Sequence, residues 1–349
     1  MIDCDTLVRA PAPQAGWAPV PDTAARSPLN RRSPERTQVD IFRTPEDIPP
    51  DYGRTAVTLG NFDGVHRGHA VVLRSLCDAA RQRGLVSLAV TFDPHPRLVH
   101  QTDSPVEMIC GLEQRLGRIE AAGVDAVLVQ HYTLEFAEQT AEQFVLDYLV
   151  GRLRAQLIVV GADVRFGRGN SGDLAALQAL GRTHGFDVEV IDEVGEGDRY
   201  SSSAIRRLLE AGDVRAAAEQ LGYDHTLTGT VVHGEKRGRE MGFPTANLAL
   251  DAKGLVPADG VYAGWMTFPA RGLRLPTAIS VGTNPTFRGS VRTVEGHAID
   301  VAFKDLDVYG DTMEVSFVER IRGQVAFRGM EPLIAQMHDD VDRVRAVLR

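Results

Sequence analysis

The sequence predicts a mixed α/β chain of two folded units: an open parallel sheet with helices on both faces, then a compact antiparallel barrel or sandwich that ends in a helix. The length of 349 residues fits two units at about 150 residues per domain. From residue 55 to about residue 222, short apolar runs alternate with amphipathic stretches, which is typical of a parallel sheet. After about residue 223, strand-like runs follow one another with little room for helices.

Strands and helices alternate in the first predicted unit. After a first element at 39–42, strands are predicted at 55–59, 85–91, 126–129, 157–160 and 188–191, and helices at 68–83, 113–122, 141–153 and 173–183. The run at 85–91 is apolar enough to be buried on both faces. Ligands of such sheets bind at the carboxyl ends of the strands, so the loops that follow strands are where chemistry is expected.

The second predicted unit consists of strand-like runs separated by Gly, Pro and Asp clusters. Strands are predicted at 227–232, 261–268, 275–281, 294–303 and 313–318. A final helix at 331–348 carries apolar residues at a spacing that forms one stripe, which indicates packing on a core.

The composition excludes several classes of protein. With 43% apolar and 24% charged residues, the chain resembles soluble globular proteins. A net charge of −9 argues against nucleic acid as the main partner. The three cysteines form no Cys-x-x-Cys pair, and no apolar run approaches the ~20 residues of a membrane span. We therefore expect a cytoplasmic protein with no nucleic-acid or membrane partner, either a monomer or a weak homo-oligomer.

Residues 1–36 differ from the rest of the chain. They contain six of the 18 prolines and little apolar material. Such a segment cannot offset the entropy of ordering, so we predict a disordered tail; a start codon chosen too far upstream would look the same.

The first strand of the alternating unit leads into Gly60-Asn-Phe-Asp-Gly-Val-His-Arg-Gly-His69, where a helix begins. The glycines let the backbone approach a ligand closely, and the amino end of a helix offers free N–H groups to a phosphate. His66 and His69 project from the same turn, where they can stabilise charge on phosphoryl oxygens. A tight turn with two surface histidines is the alternative, but the position directly after the first strand favours a functional site.

Three further segments of the first unit are candidates for binding. Segments 91–96 and 161–167 both follow predicted strands, so we expect them at the same sheet edge as the histidines, although each alone is equally well explained as a turn. Residues 201–206 open a helix with three serines and Arg206. They form either an ordinary serine cap or a clamp in which the hydroxyls and the guanidinium hold a triphosphate.

In the second unit, residues 234–247 are dense in glycine and positive charge, which predicts a phosphate-binding flap. Thr245 and Asn247 are neutral oxygen donors on one side of an extended strand and could hold Mg²⁺. Glu295 lies on another predicted strand, where an isolated glutamate is more often a solvated residue than a base.

Together these segments resemble one family, the bacterial bifunctional riboflavin kinase/FMN adenylyltransferases (FAD synthetases). The resemblance covers residues 37–349 and is carried by Gly60-Asn-Phe-Asp-Gly-Val-His-Arg-Gly-His69 and Gly242-Phe-Pro-Thr-Ala-Asn-Leu248, in this order. It implies a Rossmann-like FMN adenylyltransferase (nucleotidyltransferase) domain over 37–222 and a riboflavin kinase β-barrel domain over 223–349. The barrel would phosphorylate riboflavin with MgATP to give FMN, and the first domain would transfer AMP from a second ATP to FMN, giving FAD and pyrophosphate.

The resemblance also implies the role of each candidate residue. His66, His69 and Arg206 would serve adenylyl transfer, and Glu295 would be the general base of the kinase, which reverses its interpretation as a solvated residue. Thr245 and Asn247 would hold Mg²⁺. ATP contacts in the adenylyltransferase would come from Gly60, Asn61, Phe62, Asp63, Gly64, Ser202 and Ser203; flavin contacts there from Asp93, His95 and Asp163; and ATP contacts in the kinase from Gly234, Lys236, Gly238, Arg239 and Pro244.

Some positions depart from the family pattern, and two other functions stay open. Asp163-Val164 replaces a common Asn-Phe pair, so an aromatic contact near the flavin is missing. One alternative is a nucleotidyltransferase for another phosphate acceptor with a barrel that only binds; the intact segment 244–247 and Glu295 argue against it. The other is a non-catalytic flavin-binding regulator or carrier, which would be expected to lose His66, His69 or Arg206.

Overall fold

The structure is a computed structural model that describes residues 38–101, 103, 106–191, 200–234, 242–286, 289–300 and 307–349, without the side chains of 284–291. The tail predicted at 1–36 lies outside these residues. Contacts divide the described chain into two compact units. The sheet unit takes residues from 38–106 and 112–200, and the barrel unit takes residues from 107–111 and 201–349.

Six parallel strands form the core of the sheet unit: β1 (Asp40–Phe42), β2 (Thr55–Leu59), β3 (Val86–Asp93), β4 (Ala126–His131), β5 (Ala155–Gly161) and β6 (Asp187–Ile191). Their order across the sheet is β1-β4-β3-β2-β5-β6. β2 therefore lies between β3 and β5, where the chain turns to opposite sides of the sheet. Such a switch point is where open α/β sheets bind ligands.

The helices of the sheet unit are α1 (Arg67–Arg83), α2 (Pro96–His100), α3 (Leu112–Ala121), α4 (Leu134–Ala137), α5 (Ala141–Gln143) and α6 (Leu174–His184). α5 continues as a π-helix, Phe144–Arg152, where the sequence predicts one α-helix. One apolar cluster joins the sheet to α1 and α3, and a second joins it to the π-helix and α6. The predicted sheet with helices on both faces is confirmed, and β3 is buried from Ser87 to Phe92. No helix in the described ranges is long and apolar enough to cross a membrane.

The barrel unit contains α7 (Ser202–Ala211), α8 (Val214–Leu221), β7 (His225–Val232), β8 (Ala246–Leu248), β9 (Gly260–Phe268), β10 (Leu273–Thr286), β11 (Gly289–Ala298), β12 (Thr312–Arg322) and α9 (Met330–Leu348). Its strands close into a barrel in the order β10-β11-β8-β7-β12-β9, with antiparallel pairs. Of the two architectures that the pattern allows, the protein has the barrel. Alternate residues such as Val294, Ala298 and Phe317 fill its interior.

The helices α7 and α8 pack into the core of the barrel unit. Ile205, Leu209 and Leu221 are buried in the same apolar cluster as Leu227 and Phe317. The boundary between the two compact units thus lies at Ser201. The change in the sequence pattern, from alternating strands and helices to successive strands, predicts a domain boundary after residue 222. The two differ because the apolar faces of these helices are buried against the strands that follow them.

Two further differences concern strands. β8 has only three residues and pairs with each neighbour over two, too short a run to be predicted from its pattern. The strand predicted at 294–303 begins at Gly289 and ends at Ala298, and residues 301–306 lie outside the description.

A buried ion pair fastens α9 to the barrel. Asp340 is 4% exposed and accepts hydrogen bonds from Arg322 Nε at 2.8 and 3.0 Å and from Nη2 at 2.7 Å. Gln336 Nε2 donates to the same carboxylate at 3.0 Å. On the same helix, Val344 is buried beside Ile321. The predicted apolar stripe is therefore placed against the barrel.

We expect Asp340→Ala to lower the free energy of unfolding of the barrel unit by roughly 3 kcal/mol, because it leaves the Arg322 charge partly buried and unpaired. Urea unfolding followed by the fluorescence of Trp265, which lies in β9, measures this change. The matched control is Asp342→Ala, since Asp342 is exposed and pairs with Arg345 at 2.6 Å. Its effect should stay below about 1 kcal/mol, and equal effects of the two substitutions would contradict the prediction.

Candidate functional site

The loop after β2 follows a strained path. Phe62 has a φ of 47° and Val65 a φ of 37°, in the left-handed region that bulky and β-branched residues rarely adopt. Gly64 between them has a φ of 78°. Phe62 and Asp63 are 2% and 1% exposed. Such conformations persist only where the surroundings hold them, and they cluster at functional sites.

Two imidazoles stack at the amino end of α1. The ring centroids of His66 and His69 are 3.7 Å apart and their planes differ by 17°. His66 is the N-cap of the helix, and its Nδ1 accepts a hydrogen bond from the backbone N–H of His69 at 3.3 Å. The rings of Phe62 and His69 meet edge to face, with their centroids 5.2 Å apart. Both imidazoles thus lie at one helix end, at the switch point of the sheet.

His69 is held as a neutral imidazole. Burial, and then the charge of His66, keep the pKa of His69 well below its ordinary value of 6.5. Its Nδ1 is buried and has no hydrogen-bond partner among the residues that the structure describes. At neutral pH the ring can therefore donate one hydrogen bond and accept another without carrying a charge.

We expect the stability of the protein to decline as the pH falls below 6.5, in part through His69. In the unfolded chain His69 takes up a proton near its ordinary pKa of 6.5, whereas the native ring, with its lowered pKa, does not, so protonation favours unfolding. Urea unfolding between about pH 5 and about pH 7.5 measures this dependence. His69→Gln should flatten the acid side of the curve, while His184→Gln, at an exposed position, should not. Curves of equal slope would contradict the prediction.

The end of β3 and the loop that follows it carry two predicted flavin contacts. The Asp93 carboxylate is half-buried, and its Oδ1 lies 3.9 Å from Nη2 of Arg115. His95 is 6% exposed and is the N-cap of α2, where its Nδ1 accepts a hydrogen bond from the Arg97 backbone at 3.1 Å. One ring nitrogen of His95 thus caps the helix, and the contact of His95 with the flavin stays a prediction.

Arg115 is a buried cation that sequence reasoning missed. It is 3% exposed, and its Nη1 donates to the carbonyls of Asn61 at 3.0 Å and Phe92 at 2.9 Å. The sequence feature that could have identified Arg115 is its position on the apolar face of α3, between Leu112 and Leu116. An arginine on such a face is unexpected unless polar groups meet it.

The loop after β5 and a cavity complete this sheet edge. Asp163 is exposed in a turn closed by the Val164 N–H, which donates to the Gly161 carbonyl at 3.1 Å. A cavity of about 490 Å³ opens beside the ends of β1 and β4 and is lined in part by the π-helix. His131 lines it, and Nδ1 of that residue lies 3.1 Å from the Asp93 carbonyl. The cavity therefore adjoins the loop after β3.

The predicted triphosphate clamp lies at the start of α7. Ser201 is the N-cap, and its hydroxyl accepts a hydrogen bond from the Ala204 N–H at 3.2 Å. Ser202 and Ser203 follow in the first turn. Arg206 is buried, and its Nε donates to the Glu107 carbonyl at 3.0 Å. The serine-cap interpretation therefore accounts for Ser201. Residues 201–206 all belong to the barrel unit.

A second cluster forms on the barrel. Glu295 of β11 pairs in register with Asn247 of β8, and the Thr245 Oγ1 lies 3.4 Å from the Glu295 Oε2. Their neighbours Ala246 and Val294 point into the barrel core, so the three polar side chains share the opposite, half-buried face. The structure thus brings together the three kinase residues predicted from separate parts of the sequence.

Gly234 and Pro244 border this cluster. A Cβ at Gly234 would lie 2.3 Å from Nδ2 of Asn247, so only glycine lets the backbone pass so close to that amide. The Pro244 carbonyl lies 2.9 Å from Nδ1 of His297, whose pKa is lowered by burial. A neutral His297 therefore donates to Pro244 and holds the segment in place. Lys236, Gly238 and Arg239 lie outside the described residues.

The donor set of this cluster fits Mg²⁺. It offers a hydroxyl, an amide oxygen and one carboxylate, all hard oxygen ligands. The described residues contain no group of three His, Cys, Asp or Glu side chains that could hold a metal ion. A cation here would therefore depend on few protein oxygens and complete its shell with water and substrate phosphates, as Mg²⁺ does.

Comparisons with known proteins agree with this arrangement. A family model described as FAD synthetase matches residues 48–205, and one described as riboflavin kinase matches residues 221–348. The bifunctional riboflavin kinase/FMN adenylyltransferase of Escherichia coli (strain K12) is 38% identical over 288 residues, which are 81% of this chain and 90% of the relative. The protein of that name from Listeria monocytogenes is 36% identical over 83% of this chain and 91% of its own length.

A solved structure has the same fold over most of the chain. It is described as a macrolide-efflux protein from Streptococcus pneumoniae, with a TM-score of 0.79, 29% identity, and coverage of 88% of this chain and 98% of its own. The two family models follow each other here as the sheet and barrel units do, and the relatives are matched over nearly their entire length. The chain therefore belongs to the family of bifunctional riboflavin kinase/FMN adenylyltransferases.

Proposed function

We propose that the protein makes FAD in two steps: it phosphorylates riboflavin with ATP, then adenylylates the resulting FMN with a second ATP. The observation that carries this proposal is the presence of two separate polar clusters, each with the groups that its reaction needs. The stacked histidines belong to the sheet unit, and Thr245, Asn247 and Glu295 belong to the barrel unit.

In the kinase step, Glu295 accepts the proton of the ribityl 5′-hydroxyl. The hydroxyl oxygen then forms a bond to the γ-phosphorus of ATP, and the bond from that phosphorus to the ADP oxygen breaks. Thr245 and Asn247 would hold Mg²⁺, which supplies charge neutralisation for the phosphates when bound. The hydrogen bond from Thr245 orients Glu295, so the chain contributes position and a base.

In the adenylyl step, a phosphate oxygen of FMN attacks the α-phosphorus of ATP, and pyrophosphate leaves. His66 and His69 face the charge that develops on the α-phosphoryl oxygens, and the neutral state of His69 makes it a hydrogen-bond donor at physiological pH. Gly60 to Gly64 would hold ATP, with Ser202, Ser203 and Arg206 at its triphosphate. Asp93, His95 and Asp163 would contact the flavin. The proposal also includes the flap residues Lys236, Gly238 and Arg239, a cytoplasmic location, and a monomer or weak homo-oligomer.

The experiment that tests this function is a chromatographic time course of the purified protein with riboflavin, excess ATP and Mg²⁺, repeated from FMN. FMN should appear before FAD in the first run, and FAD should appear in the second. Omission of Mg²⁺ should stop product formation. Absence of both FMN and FAD with Mg²⁺ present would refute the proposed function.

We expect Gly234→Ala to lower kcat/KM of the kinase for ATP at least about tenfold, because the new methyl group displaces Asn247 from the cluster. Steady-state kinetics with varied ATP measures the effect. FAD formation from FMN by the same variant is the internal reference and should not change. Gly117→Ala is the control, since a Cβ there meets no atom within 4 Å. Kinase kinetics like those of the unmodified protein would show that Asn247 tolerates the displacement.

A further inference from the structure

We propose that Arg115 is a positioning residue for adenylyl transfer: its guanidinium joins the loop after β2 to the carboxyl end of β3 and so fixes the position of the two histidines. This inference rests on the proposed function for its effect on FAD synthesis. The contact geometry that carries it is independent of that function.

One nitrogen of Arg115 binds both the loop after β2 and the last residues of β3. Nη1 lies 3.0 Å from the Asn61 carbonyl, 3.1 Å from the Thr91 hydroxyl and 2.9 Å from the Phe92 carbonyl. Nη1 carries two N–H groups, so at least one of them is shared between two acceptors. The Thr91 hydroxyl in turn donates to the Asn61 carbonyl at 3.1 Å. The four groups form one connected network, which links the loop after β2 to the end of the neighbouring strand β3.

The hydrogen bonds of this network compensate the burial of the charged Arg115 side chain. Arg115 is 3% exposed, and a buried guanidinium is costly unless its N–H groups are bonded. Its Nε has no hydrogen-bond partner among the described residues, and Nη2 lies 3.9 Å from the Asp93 carboxylate. The charge is thus compensated mainly by two backbone carbonyls and a hydroxyl at the sheet edge. A residue that served packing alone would be apolar, like its neighbours Leu116 and Ile119.

The Asn61 carbonyl, which Arg115 binds, lies directly before the strained part of the loop. After Asn61, the chain passes through Phe62 and Val65, both at positive φ, before it reaches His66. Conformations of this kind need surroundings that over-determine them. Arg115 supplies two of these constraints, on Asn61 and on Phe92, and the position of the histidines follows from them. Displacement of catalytic groups by about 1 Å can lower rates by about 10²-fold.

The test compares three variants of the full chain. Arg115→Met should lower kcat for FMN to FAD by about 10²-fold with KM for ATP less affected, while riboflavin phosphorylation by the same molecules stays within about twofold. Arg115→Lys keeps the charge but cannot hold three acceptors, so it should recover only part of the rate. Arg118→Met, one turn along the same helix, is the matched control and should leave both activities unchanged.

A second substitution tests the network itself. Thr91→Val removes the hydroxyl and keeps the shape of the side chain, and its effect on FAD synthesis should not add to that of Arg115→Met. Additive effects would show that the two residues act separately and would overturn the proposal. An equal loss of both activities in Arg115→Met would mean general unfolding and would overturn it as well.

Hydrogen exchange distinguishes failure of this proposal from failure of the proposed function. Mass spectrometry should show faster amide exchange in Arg115→Met within segments 60–66 and 92–95, with unchanged exchange in the barrel strands. If both segments exchange as in the unmodified protein, Arg115 does not hold them in place. This readout requires no turnover, so it tests the positioning role even if the protein makes no FAD.

Discussion

Glu295→Gln should abolish FMN formation from riboflavin, with kcat reduced by about 10³-fold, while conversion of FMN to FAD continues. The substitution keeps the size of the side chain and its hydrogen bond to Thr245, but it removes the basic carboxylate. The loss should be in kcat rather than in KM, because the amide can still occupy the position beside Asn247. Separate assays from riboflavin and from FMN measure both reactions on one sample.

The matched control for this substitution is Glu319→Gln. Glu319 lies in β12 of the same barrel and is half-exposed in an ion pair with Arg215 at 3.6 Å. Removal of its charge should leave both rates unchanged. If Glu295→Gln retained FMN synthesis, Glu295 would be a structural partner of Thr245 and the base would be another group. If the variant lost both reactions, the proposed division of labour between the two clusters would be wrong.

His66→Asn should lower FAD synthesis from FMN by about 10²- to 10³-fold and leave riboflavin phosphorylation intact. Asparagine is chosen because it can still cap α1, so the amino end of the helix keeps its hydrogen bond while the imidazole is lost. Steady-state kinetics from FMN measures the effect. Replacement by alanine would remove the cap and the imidazole together and would not separate the two.

Two controls accompany His66→Asn. His184→Asn changes an exposed histidine at the end of α6 and should not affect either rate. Thermal unfolding of His66→Asn should lie within a few degrees of the unmodified protein, since the cap is preserved. A normal rate of FAD synthesis at normal stability would show that His66 acts as a cap only, and attention would move to His69.

Much of this fold follows from local pattern. The run at 85–91 is largely apolar, and the strand it forms is buried on both faces. The loop of Gly60 to His69 could be placed at a sheet edge because a helix amino end follows a strand, and both histidines lie there. The cluster of Thr245, Asn247 and Glu295 could be named only through the family resemblance, because pairing of β8 with β11 brings together segments separated by 50 residues of chain.

Other features depend on contacts that pattern does not contain. Arg115 was visible only as a charged interruption of an apolar face, and its partners lie in the loop after β2 and in β3. The helix after Ala141 is π rather than α along 144–152, a difference in period too small to detect in nine residues. The sequence pattern also does not show that a ring nitrogen of His95 caps a helix or that His297 holds the Pro244 carbonyl.

The placement of α7 and α8 in the barrel core limits how the chain can be cut into working pieces. A fragment that began at residue 223 would lack Ile205, Leu209 and Leu221 and would expose the core residues that they cover. It would also lack residues 107–111, whose Ile109 is fully buried in the same cluster. The FAD synthetase match ends at residue 205, inside the first of these helices. A single cut point therefore leaves residues that the barrel requires on the other fragment. The two activities are better separated by substitution than by truncation.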